Sequence, residues 1–240
     1  MSQKARFEAA KKSMTYAFER GDSLADPFLT LLPVEGVAVS VLRGPIGQWT
    51  VSASDDTAGW LDELQFSLGE GPCWDAMDAD APVSAPDLRS GVDARWPAFI
   101  DAVNTETRVA ALHAFPLVLG SLEIGAVDVY STAPGELSES QIADGSALAT
   151  IATWQVLRTM LDRERLEDVP IAASRREVHQ ATGMVLVQLG VTAKDAELII
   201  RAHAFATGRT VVQVAAEVVA RQLDFSAGGR NADPGSKLNG

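Results

Sequence analysis

Positive charge and cysteine are both scarce in this chain. Its 240 residues include 20 lysines and arginines against 32 aspartates and glutamates, for a net charge of −12. Such an acidic protein repels a phosphate backbone at long range, so it is not a general nucleic-acid binder. The single cysteine, Cys73, rules out an internal disulfide and is typical of a reducing cytoplasm.

Long hydrophobic runs and catalytic motifs are also missing. The longest apolar stretches are far too short to span a bilayer, and the N-terminus lacks the apolar core and cleavage site of a signal peptide. There is no phosphate-binding loop, no catalytic-triad pattern and no pair of carboxylates at a fixed spacing. We therefore expect a cytoplasmic protein that is not an enzyme, does not enter a membrane and holds no metal, and whose sequence requires no cofactor.

What the chain does have is a strongly patterned segment at residues 174–224. Apolar residues recur there at helical spacing in three runs, which Gly190 and Gly208 separate. Ser174 with Glu177 three residues later is a capping-box signature, and Thr192 and Thr210 stand where the next two helix N-caps are expected. Because only one face of each predicted helix is apolar, none is stable alone, and the segment predicts a compact all-α unit of three helices.

The same residues resemble a known family. The blocks Arg175–Val185, Ile200–Ala204 and Val211–Ala215 agree in order and spacing with the ANTAR domain, an RNA-binding antitermination module. Residues 169–225 are therefore identified as an ANTAR-like domain. One position departs from the pattern: Thr182 stands where the family usually has a lysine, which removes a positive charge from the implied RNA face.

Polar and basic residues of this segment form the candidate RNA-binding site. Guanidinium groups suit phosphates and stack on the unpaired bases of RNA loops, and a glycine among them lets a backbone come close. The alternative is a solvated face on which Glu197 and Arg201 pair as i, i+4 neighbours. The candidates are Arg175, Arg176, His179, Gln180, Gly183, Lys194, Arg201 and Arg209.

Residues 1–168 predict an antiparallel sheet with helices on both faces, so the fold class is α+β. Two pairs of alternating strands form hairpins, and a short strand lies between them. The predicted strands are 36–43, 48–53, 82–84, 109–119 and 122–130. The predicted helices are 3–20, 57–67, 72–77 and 94–104.

This region contains three runs, Leu68–Trp74, Phe115–Leu117 and Glu123–Ser131, that agree with a known pattern. They resemble the GAF sensory domain, in the form fused ahead of ANTAR in actinobacterial proteins. The resemblance implies a sensor pocket, for which the candidates are Cys73, Trp74, His113 and Phe115. Cys73 as a redox or catalytic thiol and His113 as a haem or metal ligand are alternatives to plain buried residues. We expect four tryptophans to belong to the core, namely Trp60, Trp74, Trp96 and Trp154.

A long helix is predicted to join the two domains. It begins with a capping box of Ser138 and Gln141, runs to Asp168 and ends before Pro170. Its apolar stripe is broad enough for its own sheet and for a second copy, which predicts a homodimer through residues 138–168. Residues 226–240 are rich in Gly, Asn, Ser and Asp and are predicted to be disordered.

Together the two resemblances imply a signal-responsive transcription antitermination regulator. A dimer would bind tandem stem-loops of a nascent RNA, under the control of a small-molecule or protein input at the GAF-like domain. Two other classes stay open. Three short helices also suit a DNA-binding regulator, although the thin basic charge and Gly183 argue against it. A ligand-binding dimeric module without nucleic acid is favoured by the missing lysine at Thr182.

Overall fold

The structure is a computed structural model and describes residues 2–43, 47–91, 94–162 and 173–226. The chain divides into two compact units, residues 1–176 and residues 177–240. This division lies eight residues beyond the boundary that the sequence predicts. It falls inside a helix, so the first turn of that helix belongs to the first unit.

The first unit contains a five-stranded sheet in which every neighbouring pair is antiparallel. The strands are β1 (Gly36–Val41), β2 (Trp49–Ala53), β3 (Val83–Ala85), β4 (Ala111–Leu119) and β5 (Leu122–Ser131). Their order across the sheet is β2-β1-β5-β4-β3. Both predicted hairpins are confirmed, since β1 pairs with β2 and β4 pairs with β5. The α+β fold class is therefore confirmed as well.

Helices cover both faces of this sheet. They are α1 (Gln3–Arg20), α2 (Asp26–Leu31), α3 (Asp56–Leu68), α4 (Pro72–Ala79), α5 (Pro97–Glu106) and α6 (Glu139–Leu161). One face packs against α1, α2 and α6, and the other packs against α3, α4 and α5. The sequence did not predict α2, and residues 163–172 lie outside the described chain.

Strand alternation separates the core into two layers. In β1, Val37 and Val39 pack with α1 and α6, whereas Ala38 packs with α3 and α5. In β4, Phe115 belongs to the first layer and Leu112 to the second. Because successive side chains of a strand point to opposite faces, each strand contributes to both layers.

Local sequence signals explain where the main helices begin and end. The predicted capping box of α6 is confirmed, because Ser138 accepts from the Gln141 amide and the Gln141 side chain accepts from the Ser138 amide. Pro72 occupies the first turn of α4, where its missing N–H costs nothing. The helix α6 ends at Leu161, before the predicted end at Asp168, because Asp162 is extended.

The second unit consists of three helices, as the sequence predicts. They are α7 (Ala173–Leu189), whose first turn belongs to the first unit, α8 (Ala193–Thr207) and α9 (Val211–Val219). Thr192 and Thr210 cap α8 and α9, and Gly208 ends α8 in the left-handed conformation. The buried face consists of Val178, Ala181, Val185, Ala196, Ile200, Ala204, Val211, Val214, Ala215 and Val218. The predicted capping box at Ser174 falls on a side chain outside the described residues.

One prediction about the core is wrong. Trp74 and Trp96 are buried and Trp60 is half-buried, but Trp154 on α6 is 53% exposed. Its helix turns this indole away from the sheet. No helix in the described ranges is long and apolar enough to cross a membrane. The predicted disordered tail lies outside the described residues from residue 227 onward.

Candidate nucleic-acid interface

The exposed face of α7 carries four of the candidate residues. Arg176, His179, Gln180 and Gly183 are all exposed. Their spacing of three and four residues places them in one stripe along the helix. The apolar face of the same helix is buried, so the amphipathic pattern of α7 leaves this polar stripe open to solvent.

Gly183 has no packing reason to be glycine. A Cβ atom built on it would meet no atom within 4 Å. A glycine inside a helix costs about 1 kcal/mol of helix stability relative to alanine, so this position gives up stability without an internal contact that requires it. Its bare backbone lies at the C-terminal end of the polar stripe, where another molecule can come close.

Thr182 adjoins the stripe and contributes no charge to it. This residue is half-buried, and its hydroxyl donates to the Val178 carbonyl one turn earlier, at 2.8 Å. The hydroxyl is therefore engaged within its own helix. Because position 182 is a threonine and Arg175 is buried, Arg176 is the one arginine or lysine exposed on α7 among the described side chains.

The basic residues of α8 and of the turn that follows it differ in their exposure to solvent. Lys194 is exposed and Arg201 is half-buried, and their spacing of seven residues places them on one side of α8. Arg209 is also half-buried and contacts other residues of its own unit. Its guanidinium donates to Thr207 at 3.0 Å, lies 2.8 Å from the His203 ring and forms a close ion pair with Glu217. Arg209 thus connects α8 to α9.

Arg175 is buried, unlike Arg176 beside it. Its side chain is 2% exposed and belongs to the first unit. Nη2 donates to Asp62 at 2.8 Å, Nε donates to Glu63 at 2.9 Å, and the guanidinium lies 4.7 Å from the centre of the Phe66 ring. In this conformation Arg175 is not presented to RNA, which sets it apart from the other candidates on α7.

The α7–α9 segment has a family match. Residues 172–219 match the family model described as the ANTAR domain. These helices form an ANTAR domain. No curated protein matches the chain. The ANTAR match begins before the second unit does, because it includes the first turn of α7 and with it Arg175.

The first unit is similar in structure to solved GAF domains. One is the GAF domain of a phosphoenolpyruvate-protein phosphotransferase from Coxiella burnetii, at 12% identity and a TM-score of 0.51, covering 67% of this chain and 98% of that one. Another is the GAF domain of the corresponding Acinetobacter protein, at 11% identity and a TM-score of 0.49, covering 68% and 98%. The first of these shows that the unit ahead of the ANTAR domain has the GAF fold.

The four predicted sensor residues of the GAF fold do not come together. All are buried, but His113 and Phe115 point toward α6, whereas Cys73 and Trp74 lie on α4 at the opposite face of the sheet. They cannot line one pocket. His113 lies 3.0 Å from the Ser84 hydroxyl, and burial lowers its pKa, although the Gly135 backbone and Glu136 partly oppose this. Both facts fit a neutral core histidine.

A buried polar cluster lies between α3 and the sheet instead. Gln65 donates to Asp128 at 2.7 Å, and Thr50 donates to Asp62. Burial raises the pKa of Asp128 to about 8, the nearby Asp62 charge adds to this rise, and the Gln65 hydrogen bond partly offsets it. Asp128 therefore holds its proton at neutral pH. The sequence contained a signal for this cluster, since Asp128 interrupts the apolar run of β5.

Two open clefts occur in the described part of the first unit. One has a volume of about 370 Å³ and lies between the end of α1, β2 and α6, where Gln155 and Ser52 line it. The other has about 460 Å³ and lies beside Tyr130 and Thr107. Neither includes a predicted sensor residue. Among the described side chains no group of three or more His, Cys, Asp or Glu residues is placed to hold a metal ion.

Proposed function

We propose that the chain is a signal-responsive transcription antitermination regulator whose ANTAR domain binds the loops of RNA hairpins. The observation that carries the proposal is the exposed stripe of Arg176, His179 and Gln180, which ends at Gly183. This glycine has room for a side chain and lacks one. An exposed glycine weakens the helix, and close approach of a partner to the bare backbone is a gain that offsets this cost.

The chemistry of the stripe favours RNA loops over duplex DNA. Unpaired bases present flat faces and polar edges, which arginine, histidine and glutamine side chains bind by stacking and hydrogen bonding. Duplex binding depends more heavily on many phosphate contacts, and this acidic chain offers few basic residues for them. We expect modest affinity that depends on the loop bases.

A homodimer is part of the proposal. Trp154 and Leu161 on α6 are 53% and 81% exposed, and Tyr16 on the adjacent α1 is 43% exposed. Large apolar residues that share an exposed helical surface favour association with a second copy. Two ANTAR domains held in one dimer can bind two hairpins in tandem.

The GAF fold supports a sensory role for the first unit. Its input, a small molecule or a protein, would act on the ANTAR domain through the chain that follows α6. We assign no catalytic role to the protein and place its action in the cytoplasm, where nascent transcripts are formed.

RNA selected from total cellular RNA by the full chain tests the proposal. We expect enrichment of paired hairpins, and titration of a fluorescent selected RNA should show tighter binding than a duplex DNA of equal length at two salt concentrations. Arg176→Ala should weaken RNA binding about ten-fold, the loss expected for one base or phosphate contact.

Arg6→Ala is the matched control, because it removes one exposed arginine from α1 in the other unit. This variant should bind as the wild type does. Equal or tighter binding of duplex DNA would support a DNA-binding regulator instead. Failure to select any RNA would support a ligand-binding module without nucleic acid.

A further inference from the structure

The buried contacts of Arg175 form a site that the family match alone does not predict. The site consists of Asp62, Glu63 and Phe66 on α3 with the Arg175 side chain, and we call it the Arg175 latch. Its two ion pairs hold the first turn of α7 within the first unit.

The guanidinium in the latch is strongly held in its charged form. Burial alone would lower the pKa of Arg175, but the charges of Asp62 and Glu63 and their hydrogen bonds outweigh burial, so the pKa is raised. The neighbouring Asp128 is neutral at pH 7. The latch therefore places one buried cation against two carboxylates.

The hydrogen bonding of the latch is incomplete. Nη1 of Arg175 and Oδ1 of Asp62 are both buried and have no hydrogen-bond partner among the described residues. A buried ion pair loses much of its Coulomb energy to desolvation, and unsatisfied polar atoms add to that cost. Release of Arg175 would leave the buried Asp62 carboxylate without its cation, so the latch opens only when α3 or the surroundings of Asp62 change as well.

We propose that the Arg175 latch is an autoinhibitory contact, in which α3 withholds from RNA an arginine in the first turn of the ANTAR helix α7. RNA and the α3 carboxylates compete for one guanidinium, which cannot satisfy both. Whatever moves α3 away from Arg175 raises RNA affinity, and by linkage bound RNA weakens the latch. This inference rests on the proposed RNA-binding function.

The helix α3 is well placed to transmit a change in the first unit. Asp62 also accepts from Thr50 on β2, and Gln65 on the same helix contacts Asp128 on β5. The side-chain carbonyl of Gln65 accepts from the Cys73 backbone amide, and its backbone carbonyl accepts from the Trp74 indole N–H. A shift of α3 relative to the sheet or to α4 therefore also displaces the carboxylates that hold Arg175.

Arginine-selective dicarbonyl labelling of the full chain tests the latch without RNA. We expect Arg175 to react on the order of ten-fold or more slowly than Arg176 in the same molecule, because it reacts only after local opening. Glu63→Ala should narrow the difference, because Asp62 still pairs with Arg175 at 2.8 Å. Glu63→Ala combined with Asp62→Asn, which keeps an acceptor for Thr50, should bring the two rates together.

Asp56→Ala is the matched control, since it removes an exposed carboxylate from the first turn of the same helix. It should leave the two rates as they are in the wild type. Equal reactivity of Arg175 and Arg176 in the wild type would overturn the latch. So would a double variant, Asp62→Asn with Glu63→Ala, that protects Arg175 as well as the wild type does.

Titration with the selected RNA tests the autoinhibition. The double variant Asp62→Asn, Glu63→Ala should bind about ten-fold more tightly than the wild type, a typical allosteric coupling, and adding Arg175→Ala to it should abolish the gain. Freed Arg175 with unchanged RNA affinity would reduce the latch to a structural contact and overturn the inference. If no form binds RNA, the proposed function fails, while the labelling rates still decide whether the latch exists.

Discussion

Asp128 is a carboxyl group whose burial should be measurable as a pH dependence of stability. Burial raises its folded-state pKa to about 8, whereas an exposed aspartate titrates near 3.9. Between these values the folded chain binds a proton that the unfolded chain has lost. Stability therefore falls as pH rises through this window, by about 1.4 kcal/mol per pH unit from this one group.

Asp128→Asn should remove this pH dependence. Asparagine resembles the protonated acid and can still accept from Gln65, so the variant should gain stability over the wild type as pH rises from 5 to 8. Urea unfolding of both chains at several pH values measures the difference. A difference that stays constant over this range would contradict a raised pKa at Asp128.

Neighbouring arginines show what residue patterns can and cannot predict. Helical periodicity identified Arg176 and Gln180 as an exposed polar face, because a short helix must bury its apolar side. The same periodicity predicted RNA contact for Arg175, which α3 buries. Its partners, Asp62 and Glu63, are more than a hundred residues earlier, and no local pattern relates positions that only the fold brings together.

Helix boundaries were predictable where a residue with a strong preference for a helix start or a helix end stands at the boundary. Ser138 with Gln141 defines the start of α6, and Gly208 defines the end of α8. The short helix α2 was missed because its six residues contain no full apolar repeat. The predicted start of α5 at residue 94 was three residues early, since α5 begins at Pro97, which is suited to a first helical turn.

The helix α7 should gain stability and lose RNA affinity from one substitution, Gly183→Ala. A methyl group there meets nothing within 4 Å, so the variant should stabilise the second unit by about 1 kcal/mol. The same methyl group would separate the α7 backbone from a bound RNA. Thermal unfolding and titration with the selected RNA measure both effects.

Gly59→Ala is the matched control, because Gly59 also lies inside a helix, α3, and its added Cβ would lie 3.8 Å from the nearest atom. It should stabilise the first unit without changing RNA affinity. If Gly183→Ala binds RNA as tightly as the wild type, the α7 stripe is not the RNA-contacting surface.

The exposed apolar residues of α1 and α6, Tyr16, Trp154 and Leu161, predict that two copies of the chain act together. A dimer makes the second hairpin contact intramolecular, so tandem hairpins should bind more tightly than one hairpin without any new contact. Trp154→Glu places a negative charge on this surface and should yield monomers, as measured by light scattering after size exclusion.

The Trp154→Glu monomer should bind a single hairpin as the wild type does and lose about a hundred-fold in affinity for tandem hairpins, because only the avidity is removed. Leu122→Glu is the control, since Leu122 is 49% exposed at the start of β5. That variant should remain dimeric. A monomeric wild type would contradict the shared surface, and equal loss for single and tandem hairpins would show that Trp154 affects the RNA site itself.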